Sequence, residues 1–228
     1  MTATFVQEAS ITTGASTSSG TANFGVATTA GNLLVAFIAG DKDTGSLTAT
    51  GWTVEQSMPS TSVSLYQCWK ISTGESSASF SWANSSLSGS TIWCGEYVDV
   101  GVVNWTMLGK GSNITSEANV SSWSTGSTTA TLSAGLAIAG VAIDSRAQAA
   151  GTLSWTNDYT SRFGTAGGAS EAYVFVAEKV VAPSEMAETT FSYSAGGTDQ
   201  LSGCIAAFGG YQLEGGTQTL VARGYRLG

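Results

Sequence analysis

The segment Gly31-Asn32-Leu33-Leu34-Val35-Ala36-Phe37-Ile38-Ala39-Gly40-Asp41 decides the fold, because it returns in the second half of the chain as Gly135-Leu136-Ala137-Ile138-Ala139-Gly140-Val141-Ala142-Ile143-Asp144. Each run is apolar, short, and rich in Gly and branched residues, where a helix would need ten or more residues of better helix formers. Both therefore read as central strands covered on both faces. Working outward, Trp52-Thr53 matches Trp155-Thr156, and Leu65-Tyr66 and Lys70 match Val174-Phe175 and Lys179. Phe80-Ser81-Trp82 matches Phe191-Ser192-Tyr193, and Tyr97 matches Phe208. The separation grows from 103 residues at Leu33 and Leu136 to 111 at Tyr97 and Phe208, which a small insertion explains. A common order at nearly constant spacing identifies an internal duplication.

The flanking segments alternate as strands do. Val63, Leu65, Trp69 and Ile71 share one face, with Ser64, Tyr66 and Lys70 on the other. The turn Ser72-Thr73-Gly74-Glu75 leads into a strand that carries Phe80 and Trp82 on one side. The second half repeats the pattern, with Tyr173, Phe175 and Lys179 opposite Ala172, Val174 and Val176, and with Pro183 confined to a turn. The sequence thus predicts an all-β, jelly-roll-like antiparallel β-sandwich over residues 1–212. It is built from two duplicated halves, about 1–101 and 102–212, closed face to face. The stretch 101–131 is expected to cross between the halves as strands and loops. Residues 213–228 read as a Gly-punctuated C-terminal arm, with Leu220, Val221, Arg223, Tyr225 and Arg226 as candidate contacts to a neighbouring subunit.

Composition narrows the function. The 228 residues include 63 Ser and Thr, 29 Gly, 2 Pro and no His. With 42% hydrophobic and 10% aromatic residues the chain has the material for a core, which a disordered tail lacks. A net charge of -8 offers no positive field to a phosphate backbone or an anionic lipid, so neither nucleic acid nor membrane is an expected partner. The apolar runs are far shorter than the roughly 20 residues of a spanning helix. The N-terminal MTATFVQEAS shows no basic stretch followed by an apolar one, and reads as a protein made in a cytoplasm. Cys68, Cys94 and Cys204, odd in number and without CxxC spacing, read as buried thiols.

Without His, the Ser-His-Asp, Cys-His and His-zinc constellations cannot form. A glycosidase needs only two carboxylates, and Glu96, Glu171, Glu178 and Asp144 are conceivable members, but no strand clusters them. Asp41 and Asp43, with Asp144 at the equivalent strand end, could supply oxygens to calcium; an Asx turn at the end of a strand accounts for them equally well. Neither a cofactor nor a metal is expected. Of the seven tryptophans, only Trp105 and Trp123 lie in a polar, unrepeated stretch where an exposed ring could stack on a sugar, and core or interface packing is the favoured reading for them as well. The sequons at Asn84, Asn104, Asn113 and Asn119 are what a chain so rich in Ser and Thr produces, and no glycan is assigned to them.

Ala30-Gly31-Asn32-Leu33-Leu34-Val35, Gly51-Trp52-Thr53, Leu65-Tyr66, Phe80-Ser81-Trp82 and Glu96-Tyr97 together resemble the jelly-roll, lectin-like β-sandwich domains of tailed-bacteriophage structural proteins and some bacterial surface proteins. The resemblance spans roughly residues 20 to 212 and consists of strand signatures without a catalytic residue. It implies a non-enzymatic virion protein, a capsid decoration or cement protein on the capsid exterior, assembled in the bacterial cytoplasm. Its implied partners are itself, as a homotrimer, and the major capsid protein, with the arm as a capsid contact. A carbohydrate-binding adhesin domain of a phage tail, fibre or bacterial surface, using Trp105, Trp123 or loop residues, is the alternative. The second half has Ala206-Ala207-Phe208 where the first has Gly95-Glu96-Tyr97, so the resemblance carries no role for Glu96.

Overall fold

A computed structural model describes residues 2–42, 45–84, 89–100, 102–113, 120–129, 133–144, 153–164, 172–193 and 200–212. Among them every regular element is a strand. The first half supplies β1 (Thr4–Thr13), β2 (Ser19–Asn23), β3 (Leu33–Gly40), β4 (Leu47–Thr48), β5 (Thr53–Met58), β6 (Ser64–Ile71), β7 (Ser77–Trp82) and β8 (Ser90–Val98). The second repeats the series as β9 (Val102–Asn113), β10 (Ser122–Ser127), β11 (Gly135–Ile143), β12 (Leu153–Trp155), β13 (Thr160–Gly164), β14 (Tyr173–Val181), β15 (Glu188–Tyr193) and β16 (Leu201–Gln212).

Each half folds into two antiparallel sheets in the same order. A five-stranded sheet runs β1-β8-β3-β6-β5 in the first half and β9-β16-β11-β14-β13 in the second; a three-stranded sheet runs β2-β7-β4 and β10-β15-β12. This all-β sandwich in two similar halves is compatible with a jelly roll. The duplication holds at the level of register. Leu33 pairs with Tyr97 and Ile71, as Leu136 pairs with Phe208 and Val180. Asp41 N donates to Gly89 O as Asp144 N donates to Gln200 O. Even the irregularities recur. Register shifts fall at Val6 in β1 and at Leu108 in β9, and again at Glu55 in β5 and Arg162 in β13.

Alternation along β3 explains its unbroken apolar sequence. Leu33, Val35, Phe37 and Ala39 pack with Leu136, Ile138, Val174, Val176 and Phe208 in a core between the two large sheets. Leu34, Ala36 and Ile38 face the other way, onto Ala22, Phe80 and Trp82 of the first half's own small sheet. In the second half Val141 and Ile143 face Phe191 and Tyr193 of the small sheet in the same manner. Four layers result, of three, five, five and three strands. The halves do meet face to face, but each brings two sheets rather than one, and Val102–Asn113 and Ser122–Ser127 form the first two strands of the second half.

One equivalence inferred from the sequence shifts. Trp52 lies in the turn before β5, where its N–H donates to Ala49 O, and the second half places Tyr159 there, donating to Thr156 O. Trp155 sits on β12 instead. Its ring nevertheless covers Phe191 at 5.0 Å, as Trp52 covers the equivalent Phe80 at 5.2 Å. The two indoles fill the same place from different backbone positions.

Candidate functional site

The acidic residues singled out in the sequence are held apart by the pleat. Along β8, Trp93 and Tyr97 face the second half, so Ile92, Cys94 and Glu96 face the small sheet. Glu96 is fully buried there and accepts three bonds: from Gln7 Nε2 at 2.7 Å, Thr29 N at 2.7 Å and Asn32 Nδ2 at 2.6 Å. It fastens the loop leading into β3 onto β1 and β8. Glu178 lies on β14 with its side chain in the core between the large sheets, bonded to Arg162 Nη2. Glu96 and Glu178 therefore occupy opposite sides of the first large sheet and cannot flank one bond. Asp144 closes a strand end through its N–H, and Asp41 does so in the first half; Asp43 and Glu171 lie outside the described residues. Among the described residues no group of three or more Cys, Asp or Glu side chains is placed to hold a metal ion.

Trp105 is 5% exposed and belongs to the core between the large sheets. Trp123 is half-buried against Phe191 and its neighbours, and its indole N–H donates to Asn113 O at 3.2 Å. A sugar platform needs an open ring face, and Trp105 offers none. Leu220, Val221, Arg223, Tyr225 and Arg226 of the arm lie outside the described residues.

Sequence reasoning missed a clasp that the duplication carries at the base of the β6–β7 and β14–β15 hairpins. Lys70 Nζ lies 2.5 Å from Glu75 Oε1, and Lys179 Nζ lies 2.7 Å from Glu185 Oε1. Partial burial alone would raise the Glu75 carboxyl, but bonds from Lys70, Thr73 and Ser72 outweigh it and hold the group well below the usual carboxylate range. Glu185 is lowered by Lys179 and by the Ala182 N–H, which donates to its Oε2 at 2.8 Å. Lys70 also stands over the Trp52 ring at 5.8 Å. The signal was present in the sequence as Lys70…Glu75 and Lys179…Glu185, each a Lys followed within six residues by a Glu across a turn.

In the second half this clasp borders a cleft of about 310 Å³. Its other wall is the β12–β13 turn, where Asn157 and Asp158 both adopt left-handed backbone conformations, with φ of 59° and 61°. Asn157 Nδ2 donates to Glu188 O at 2.9 Å, which ties the turn to β15. Tyr159 is 7% exposed, and its buried hydroxyl has no hydrogen-bond partner among the described residues. Burial pushes that hydroxyl's pKa up, and the charges of Glu185 and Glu188 push it further. Asp158, Glu185 and Glu188 form an acidic rim around Lys179, with Met186 beside them. Such a cleft can accept hydroxyl or ammonium donors on its carboxylates; it holds no nucleophile paired with a base.

Comparison of the chain with protein-family models, curated proteins and solved structures finds no match.

Proposed function

We propose that the protein is a non-enzymatic structural protein of a bacteriophage virion, a decoration or cement protein on the capsid exterior that associates with itself and with the major capsid protein. The observation that supports this reading is the use made of its ionisable side chains. Glu96, Glu75, Glu178 and Glu55 each fasten one strand or loop to another. Carboxylates used in this way to join segments serve the rigidity that a building block of a particle needs. An acidic Ser/Thr-rich chain of four stacked layers suits a part that is exposed in many copies. Sedimentation of the purified protein, alone and mixed with expanded capsids, tests the proposal. A trimer that travels with the particles is expected, and a monomer indifferent to them overturns it.

The cleft favours a second reading, carbohydrate binding, at a different place from the tryptophans first considered. Carboxylates and an amide around a recessed tyrosine suit the hydroxyls of a sugar. Glycan-array binding that Asp158→Asn and Glu188→Gln abolish, while Trp123→Ala leaves it intact, would establish this site.

A further inference from the structure

The two halves meet as the subunits of a twofold dimer would: β14 packs on β3 and β8, and reciprocally β6 packs on β11 and β16. At the centre of this contact, equivalent residues face each other. Phe37 pairs with Gln67 and Trp93 in its sheet, and Gly140 pairs with Val176 and Cys204 at the same ladder positions of the other. The Phe37 ring lies directly on Gly140, where an added Cβ would come within 2.4 Å of Phe37 Cδ1 and Cε1. A first half facing a copy of itself would set phenylalanine against phenylalanine. A second half facing a copy of itself would leave a void between two glycines.

The two seams flanking this centre differ by an exchange of charge. Glu55 and Arg162 occupy the equivalent bulges of β5 and β13, and Glu8 and Lys110 occupy equivalent places on β1 and β9, opposite Gly95 and Ala206. On one seam Lys110 Nζ reaches Glu55 Oε1 at 2.9 Å and Glu55 O at 3.1 Å. On the other, the Arg162 guanidinium lies over the Phe5 ring at 5.0 Å, beside Glu178. Glu8 is near enough on the same seam for its charge to favour the cationic Arg162, and it also accepts the Trp93 indole N–H at 2.7 Å. Pairing two first halves would bring Glu8 to Glu55, and pairing two second halves would bring Lys110 to Arg162.

We infer that the large-sheet faces of the two halves form a matched, non-interchangeable pair, each shaped and charged to accept the other half and to reject a second copy of itself. A twofold interface is self-complementary by construction. Here one exchange of size and two of sign make it directional, the repulsive element being as much a part of its specificity as the attractive one. Copies of the chain must then associate through other surfaces.

Two exchange cycles in the full chain test the inference. Phe37→Gly and Gly140→Phe should each lower the midpoint of denaturant unfolding, the first by a void and the second by a clash. The double variant, with knob and hole traded across the axis, should recover at least half of the summed loss. Losses that simply add would overturn the size match. Gly140→Phe failing to fold alone but folding in the double variant would support it as strongly. The second cycle uses Glu55→Lys and Lys110→Glu; Lys110 is half exposed, whereas the Glu55 side chain is largely buried and also accepts the Trp69 indole N–H at 3.0 Å, a bond that the reversal does not restore. Each single reversal should lower the midpoint, and the double reversal should be more stable than Glu55→Lys alone, with the charge-dependent part of the differences shrinking in 1 M salt. A double reversal no more stable than the worse single one would overturn the charge match.

Discussion

Replacing Glu96 by alanine should be among the most damaging single changes in the first half, and the cost can be worked from its surroundings. The carboxylate is sealed from solvent and satisfied by three N–H donors on two segments, β1 and the loop leading into β3. Bonds to a charged group contribute about 1.5 to 3 kcal/mol each, and the desolvation of the carboxylate offsets part of that gain. Removing the acceptor strands donors that cannot all reach water. Asn32 is only 7% exposed, so its amide would stay buried and unpaired, at about 1 to 3 kcal/mol. The net loss for Glu96→Ala is about 3 to 5 kcal/mol, a large share of the roughly 5 to 15 kcal/mol typical of a whole domain. Glu96→Gln keeps the shape and one acceptor oxygen but turns an amide toward the donors, and should lose about 1 to 3 kcal/mol. Equilibrium urea unfolding measures both, with the midpoint falling at an unchanged slope. If Glu96→Ala unfolds within about 1 kcal/mol of the parent, the three-donor clamp contributes little and the reasoning fails.

Three further outcomes are expected. Because the native Glu75 carboxyl lies below its ordinary value near 4.5, its stabilising contribution is complete above that pH and is lost as pH falls through the lower native value; Glu75→Gln should lower stability at neutral pH and flatten this acid limb, so that the two proteins converge as pH falls. The three cysteines are buried, with burial pushing Cys68 up to about 12, so a thiol reagent should label none of them in the native protein and all three in urea. Phe191 stacks on Phe175 at 4.9 Å and meets Trp155 at 5.0 Å in the second half's inner core; Phe191→Ala should cost about 3 to 5 kcal/mol in thermal or urea unfolding.

The parts of this fold that were legible in the sequence are those where burial on both faces forces a continuous apolar run. β3 and β11 declared themselves in that way, and the matches carried outward to Lys70, Phe80 and Tyr97 agree with the observed ladders. The small sheets were harder to read, because β2 buries only Gly20 and Ala22 of five residues and β10 is largely Ser and Thr. Periodicity says little when one face is a glycine and an alanine. The Trp52 and Trp155 match failed for another reason: packing selects where a ring ends, not which backbone position carries it. β9 buries the Trp105 ring against the other half, as core packing requires, although its neighbours in the sequence are polar. The clasp and the cleft were invisible to motif reasoning, since neither uses residues whose spacing marks a known chemistry.

Gly140 shows what a duplicated sequence can hide. Read alone, a glycine inside the run Leu136-Ala137-Ile138-Ala139-Gly140-Val141 is a weakness in a strand, lacking a side chain to pack. Read against its counterpart it is a receptor, because the residue that would fill the gap has been supplied by Phe37 from the other half. The same holds for Glu55 and Arg162, which look like unrelated surface charges until the registers place them at one bulge in two copies. Duplication first produces two equal faces, which could pair in more than one combination. Divergence that removes a side chain on one copy and reverses charges at the rims leaves a single favourable pairing, the one the covalent chain already brings together at high effective concentration. The positions at which the halves differ most therefore carry the specificity of the interface, and the positions at which they agree carry its fold.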